Sequence, residues 1–410
     1  MSTIDLVFEG GGAKGMVFIG ALDVLFEEAG HSHGRLLGTS AGAITALALA
    51  AGYTIPELNA ALTEKDAQGA PIFMSFLGNP APFDAEAIRA SAIRRLLEEL
   101  NLPFVPDFTE ERIDDWIAGR LAENEWGRHL FSFVERGGWY SADPFVAWAE
   151  RKLNEGQMNG RPRNFGKLTL KEYFEATRVE LTLAAADTTW ARILWLNHRT
   201  APDCPAVWAA RMSMSVPLLW QEVEWRREWG AYRTWNPVTQ RLEANDIAGH
   251  VIVDGGLLSN FPIALFVADS PDVTAVVGPA HVKNVLGLLI DESLPVPGRP
   301  PRPQGSGSIF AGLRTVDRLR RLVDTATGAH DNMAKALFAP NVVRLPAGGY
   351  GTTQFDMTDP ERTALVEAGR RAMRDFLRSQ SVLGLAGPGF AVNDAARSLA
   401  NQAALGILGG

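Results

Sequence analysis

Leu6-Val7-Phe8-Glu9-Gly10-Gly11-Gly12-Ala13-Lys14-Gly15 and, further on, Arg35-Leu36-Leu37-Gly38-Thr39-Ser40-Ala41-Gly42 place two glycine-rich turns at the ends of two short apolar runs. In the second turn Gly38 and Gly42 flank Ser40 at two-residue spacing, so the serine can sit on a strained strand-to-helix corner with its hydroxyl presented. In the first turn the successive glycines let the N–H groups of Gly10, Gly11 and Gly12 converge, and a helix starting near Lys14 adds the positive end of its dipole. Together the two turns read as an oxyanion hole facing a nucleophilic serine.

Gly10, Gly12 and Gly15 also spell G-x-G-x-x-G after a strand and before a helix, the dinucleotide fingerprint. That reading requires an acidic residue at the end of the second strand to hold a ribose hydroxyl. The second strand, near Arg35-Leu36-Leu37, ends in the serine turn instead. No cofactor is expected.

The remaining composition narrows the class. A chain of 410 residues with 46% hydrophobic and 21% charged residues is globular and large enough for one sizeable core with an inserted or appended piece. The single cysteine, Cys204, excludes an internal disulfide and a multi-cysteine metal cluster, which suits a reducing compartment, and Asp203 and Pro205 give it no visible base. No signal peptide and no membrane-spanning run is visible, so a cytoplasmic protein, peripheral at a membrane at most, is expected. A net charge of -8 argues against nucleic-acid binding and against long-range attraction to anionic lipid, so any membrane-surface contact is local and transient. Arg314, Arg318, Arg320 and Arg321 form the one clear basic cluster, read as a solvated helix face before a lipid-phosphate patch.

Along the chain, Leu6–Phe8 is a strand, Met16–Ala29 a helix and Ala43–Ala51 a second, almost wholly apolar helix that should be buried against the sheet. From Ile55 to about Phe133 amphipathic helices alternate with turn clusters, a helical insertion over the site that carries Trp116, Phe131 and Phe133. Strands are expected at Glu180–Asp187, Ala191–Leu196, Val251–Val253 and Val342–Leu345, with a helix at Val207–Ser215 and a Trp-rich, hairpin-like segment from Leu219 to Thr234. The proline-rich stretch Leu294–Gln304 is an extended loop, followed by helices at about Ile309–Leu337 and Pro360–Ser379. The tail, residues 381–410, is a docked helix, a flexible tag or an amphipathic membrane contact, in that order.

A serine needs a base. His281 and His330 lie downstream in the order of an α/β-hydrolase, although neither follows a recognisable strand-ending turn. Asp254 is the better candidate, because it ends Val251-Ile252-Val253 and is followed by Gly255 and Gly256, which permit a sharp turn. A parallel sheet collects the carboxyl ends of its strands at one edge, which would bring together the turns carrying Gly10, Ser40 and Asp254.

The set Gly10-Gly11-Gly12-Ala13-Lys14-Gly15, Gly38-Thr39-Ser40-Ala41-Gly42 and Asp254-Gly255-Gly256 resembles the patatin-like phospholipases in kind, order and approximate spacing. Gly138-Trp139-Tyr140-Ser141-Ala142, the block Ala209–Pro217 and Thr353-Gln354-Phe355-Asp356 resemble further segments of that family, so the likeness spans most of residues 4–380. The resemblance implies a three-layer α/β sandwich with a mainly parallel central sheet, a Ser-Asp dyad with Ser40 as nucleophile and Asp254 as base, and no metal. It further implies a phospholipid or lysophospholipid substrate, with an acyltransferase or a ligand-switched membrane-degrading effector as alternatives, and leaves the oligomeric state open. The expected organisation is an acyl hydrolase domain over residues 1–380, with its cap at about 55–133. Met212 and Ser215 depart from the small residues usual in their block and are expected to reshape the acyl channel. Lys14 is expected to be solvated or paired with a carboxylate rather than bound to lipid phosphate.

Overall fold

The run before the triple glycine forms β1 (Thr3–Phe8), whose two-residue period sends Ile4, Leu6 and Phe8 to one face of a sheet and Val7 to the other. The computed structural model describes residues 2–83, 86–87, 91–93, 95, 124–280, 284–299, 337–382 and 392–408. The other strands of the main sheet are β2 (Ser32–Thr39), β3 (Leu181–Asp187), β4 (Arg192–Leu196), β5 (Val223–Glu224), β6 (Val251–Asp254), β7 (Val285–Pro295) and β8 (Val342–Gly348). Their order is β8-β7-β1-β2-β3-β6-β5, with β4 also paired to β3. From β8 to β3 every pairing is parallel, whereas β6 and β4 run antiparallel to β3.

Both faces of a parallel sheet must be covered, and here they are. The helices that matter for the site and its frame are α1 (Val17–Asp23), α2 (Ala41–Ala50), α3 (Ile55–Leu62), α4 (Ile72–Ser75), α5 (Ala206–Ser213), α6 (Ala264–Val267), α7 (Pro271–Val277), α8 (Asp359–Val382) and α9 (Asp394–Leu408). One core joins α1, α2, α3, α5 and α8 to the face carrying Leu6, Leu36 and Leu288. A second, smaller core joins α6, α7 and α9 to the face carrying Val7, Leu37 and Leu289. The result is the expected α/β sandwich with a mainly parallel centre.

Several local expectations change. β7 was not singled out by periodicity, because Leu286, Leu288 and Ile290 serve one core and Val285 and Leu289 the other, which leaves no polar face to mark a strand. The helix expected at Met16–Ala29 is a 3-10 turn over Gly12–Met16, then α1, then a π turn over Val24–Glu28. The Trp-rich segment is no hairpin: Leu218–Trp220 pairs in parallel with Gly138–Tyr140, Trp225 is buried, and the hairpin lies later, at Tyr232–Asn236 and Arg241–Asn245. In the insertion, Phe131 stacks on Phe83 with centroids 3.9 Å apart, so it is internal packing, and Trp116 lies outside the described residues. The tail helix α9 docks: Ala400 and Ala404 are buried, and Asn401 Oδ1 accepts the N–H groups of Asp269 (2.9 Å) and Ser270 (3.0 Å). His281, His330 and the cluster Arg314, Arg318, Arg320 and Arg321 fall outside the described residues, as does the helix expected at about Ile309–Leu337 except for Leu337 itself.

Candidate active site

Strand β3 decides where the site forms. Leu183 and Ala184 pair with β4 on one edge and with β2 on the other; Ala185 and Ala186 pair with β4 on that same first edge and with β6 on the second. Thus β2 and β6 share one edge of β3 and approach each other end to end. Thr39 stands opposite Ala184 and Asp254 opposite Ala185, neighbouring residues separated by a strand rise of about 3.3 Å. The expected collection of parallel strand ends therefore holds for β1 and β2 but not for Asp254, which arrives from the opposite direction on an antiparallel strand.

Immediately after β2 the chain turns at Ser40, whose backbone has φ 53° and ψ -119°, a conformation that a residue with a β-carbon adopts only under constraint. Two close approaches impose it. A β-carbon on Gly38 would lie 2.3 Å from the carbonyl oxygen of Gly42, and one on Gly42 would lie 2.5 Å from that of Phe8. The Ser40 N–H donates to Ser213 Oγ at 3.0 Å, and α2 begins at the next residue, so its positive end points back at the serine. Gly15 lets the 3-10 turn press on the start of α2: a β-carbon there would come within 2.9 Å of the Ala41 methyl.

Asp254 is buried, and its carboxyl lies within interaction range of the Ser40 side chain. Burial pushes its pKa up from 3.8 to about 7, against the opposing pull of the Gly256 N–H, which donates to Oδ1 at 2.8 Å, and of Ser40. Its own N–H donates to the carbonyl of Ser215 at 2.9 Å. Gly255 is pressed against β3, where a β-carbon would meet the Ala184 carbonyl at 2.5 Å. Thus the segment closing α5 holds the backbones of both residues, through Ser213 for Ser40 and Ser215 for Asp254. Buried Arg211 fixes that segment in turn, donating to Ser215 Oγ and, at 2.7 Å, to the carbonyl of Gln221.

The glycine turn lies beside this pair, since a β-carbon on Gly10 would fall 3.1 Å from that of Ser40. Gly10 and Asn260 are joined twice: the Gly10 N–H donates to the Asn260 carbonyl at 3.2 Å, and Asn260 Nδ2 donates to the Gly10 carbonyl at 3.1 Å. Gly12 takes φ +55°, and the Ala13 N–H donates to the Thr352 carbonyl at 2.8 Å. Lys14 is buried and its ammonium pairs with Glu292, so it acts within the protein.

An apolar cavity opens over Ser40, walled by Met16, Ile44, Leu62, Phe73, Phe76, Met214, Trp220 and Phe355 among others. Residues of α3, α4 and the following turn thus cover the site. Of the departures noted in the sequence, Met212 is core and does not line this cavity, whereas its neighbour Met214 does, and Ser215 supports Asp254. Ser213, Asn260 and Thr352 were not read as site residues. Their only signals were the serine of the Ala209–Pro217 block, the asparagine shortly after Asp-Gly-Gly and the position next to Thr353-Gln354-Phe355. Among the described residues no cluster of His, Cys, Asp and Glu could hold a metal ion, and burial raises the Cys204 thiol far above its usual range.

With this geometry in place, comparison with known proteins is specific. A family model described as patatin-like phospholipase matches residues 6–267, more than half of the chain. The chain belongs to the patatin-like phospholipase family, and is a lipid hydrolase. It is 27% identical over 383 residues to the Bacillus subtilis protein YqhO, covering 92% of this chain and 98% of that one. Among solved structures it is similar to VipD from Legionella pneumophila, at 17% identity and a TM-score of 0.43 over 92% of this chain and 67% of VipD. It is also similar to ExoU in the ExoU-SpcU complex of Pseudomonas aeruginosa, at 17% identity and a TM-score of 0.36 over 100% of this chain and 58% of that one. Among the described residues no helix is long and apolar enough to cross a membrane.

Proposed function

We propose that this protein cleaves ester-linked acyl chains from phospholipids or lysophospholipids with Ser40 as nucleophile and Asp254 as its base. The observation that carries the reading is the buried Asp254 carboxyl, brought within interaction range of Ser40 where β2 and β6 meet along β3, below an apolar cavity. Asp254 takes the hydroxyl proton as Ser40 Oγ bonds to the ester carbonyl carbon, and negative charge gathers on the carbonyl oxygen. The donors we assign to that oxygen are the amides of Gly11 and Gly12, since the Gly10 N–H is engaged with Asn260. Collapse breaks the ester bond and the leaving alcohol takes the proton from Asp254; water, deprotonated by the same carboxylate, then attacks the acyl-enzyme, and breaking the Ser40 Oγ–acyl bond releases the fatty acid as Ser40 takes that proton back from Asp254. A carboxyl whose pKa lies near 7 suits both roles, because it accepts and returns a proton with little bias. The helices covering the site are its cap, and its membrane contact is a transient one at the surface from which the substrate comes.

The test is release of free fatty acid from vesicles of mixed membrane phospholipid and from lysophospholipid, followed by mass spectrometry, with Ser40→Ala as the control. Product identical in amount from the wild-type protein and the Ser40→Ala variant would defeat the proposal.

Two subsidiary outcomes are expected. Because the base must be ionised, kcat/KM on a soluble ester should climb about tenfold per pH unit below about pH 7 and level off above it. A profile flat from pH 5 to 8, on the order of these limits, would exclude a base of raised pKa. Ser213→Ala removes the acceptor that holds the Ser40 N–H; kcat should fall by roughly 10- to 100-fold with KM nearly constant, and Ser213→Thr should restore part of it. Steady-state kinetics separates this from simple unfolding, which would lower active-site concentration without sparing the threonine variant.

A further inference from the structure

The helix Glu125–Glu135, at the end of the insertion, has its polarity reversed. Gly127, His129, Phe131 and Ser132 are buried, whereas Trp126 is 62% and Val134 48% exposed, and Leu130 and Phe133 are half-buried. Positions 126, 130, 133 and 134 follow the spacing of one helix face. The side turned outward is therefore wholly apolar, where a helix packed on a core ordinarily turns its polar side out. Glu135 lies on the opposite side and accepts the Ile93 N–H at 3.0 Å. Trp139 extends the apolar face, its ring edge-on to those of Trp126 and Phe133 with centroids 6.0 Å away in each case. In the parallel pairing of Gly138–Tyr140 with Leu218–Trp220, Gly138 stands opposite Leu218 and Tyr140 opposite Trp220. Trp139 thus stands beside Leu219 on the same side of that ribbon, and Leu219 lines the cavity over Ser40.

We infer that the face formed by Trp126, Leu130, Phe133, Val134 and Trp139 seats the protein on a membrane by inserting into a zwitterionic phospholipid bilayer. The inference deepens the hydrolase reading above, because a lipid leaving the bilayer at Trp139 is beside the wall of the cavity that holds Ser40. The chemistry of the face selects lipid as its partner. Its only polar side-chain atoms are two indole N–H groups, and indole rings rest at the boundary between hydrocarbon and head groups. A protein partner would find few groups for the roughly one hydrogen bond per 100–200 Å² that an interface carries. No charge on the face draws anionic head groups, and the net charge of -8 opposes them, so apolar insertion supplies the affinity.

The experiment measures partition of the Ser40→Ala protein, which leaves the lipid intact, onto phosphatidylcholine vesicles by flotation. Trp126→Ala and Val134→Asp, each made in that background, should lower the partition coefficient about tenfold or more. Raising salt from about 0.1 to about 1 M, which contracts the Debye length from ~10 to ~3 Å, should not lower it. With Ser40 present, the same two substitutions should spare hydrolysis of p-nitrophenyl butyrate in solution while reducing hydrolysis of vesicle lipid. Equal partition of parent and variants, no partition of the parent, or binding that collapses at high salt would overturn the membrane face and leave the hydrolase reading standing, since Ser40-dependent hydrolysis of the soluble ester tests that reading separately. A concentration-dependent dimer abolished by Val134→Asp, without vesicle binding, would overturn it in favour of self-association. Trp126→Phe keeps a ring against Trp139 and so tests the face with the least disturbance of packing. Phosphatidylcholine brominated in its acyl chains should quench tryptophan fluorescence less in that variant than in the parent, and equal quenching would also overturn the face.

Discussion

Ser40→Ala and Asp254→Asn should each lower ester hydrolysis by on the order of 10⁴-fold or more, and the double variant should be scarcely worse than either alone, because a nucleophile and its base act as one unit. Their effects on stability should differ. Asp254 has a folded-state pKa of about 7 against an ordinary value of 3.8, so the folded chain holds this proton more tightly than the unfolded chain does. Stability arising from this group is complete below the unfolded value, declines as pH rises between the two, and is gone above about pH 7. Asp254→Asn removes the buried charge while keeping an oxygen for the Gly256 N–H. It should therefore stabilise the protein at pH 8 by up to about 4 kcal/mol, with the gain shrinking toward pH 4. Urea unfolding at the two pH values, beside a fatty-acid release assay, reads both effects. An Asp254→Asn variant that keeps its activity, or that loses stability at pH 8, would remove Asp254 from the role of buried base.

Gly38→Ala and Gly42→Ala should damage the elbow itself. The methyl introduced at position 38 would sit 2.3 Å from the Gly42 carbonyl oxygen, and the one at position 42 would sit 2.5 Å from that of Phe8, backbone atoms that no rotamer change can move aside. The start of α2 must then shift away from β1 and β2, which breaks the approach of Ser40 to Asp254. Overpacking of this kind costs about 1–3 kcal/mol or more, and a displacement near 1 Å at a reacting group reduces turnover on the order of 100-fold. We expect both losses together in each variant. Full activity in Gly42→Ala would mean that the corner tolerates a β-carbon and that the glycine spacing around Ser40 has another origin.

The motif residues were legible because each answers a constraint that acts within a few positions of itself. Gly38 and Gly42 must lack a β-carbon for the serine corner to close, and Gly12 must reach a positive φ, so their identities report local geometry directly. The short apolar run of β1 and the almost wholly apolar α2 likewise marked a strand and a helix buried against it. Less was readable where a residue serves a distant partner. Ser213 passed unmarked within the block Ala209–Pro217 and Ser215 was expected to reshape the acyl channel, and only packing of α5 against β3 and β6 turns them into the acceptors for Ser40 and Asp254. Asn260 carries no local sign that it will lock the Gly10 turn from 250 positions away. β7 was hidden for the opposite reason, since a strand buried on both faces has no alternation to display.

The amino-acid sequence by itself determined the two glycine turns, the serine between Gly38 and Gly42, the aspartate before Gly255, and the layering of helices on an apolar sheet, because steric exclusion and hydrophobic period operate over short spans of chain. The tertiary structure alone decided that β6 runs antiparallel and meets β2 head-on along one edge of β3, that burial lifts the Asp254 pKa, and that α2 borders the apolar cavity over Ser40. Those properties arise from surfaces closing across more than two hundred positions, where the dielectric around a carboxyl and the space beside a helix are set by every neighbour together and by no neighbour in sequence.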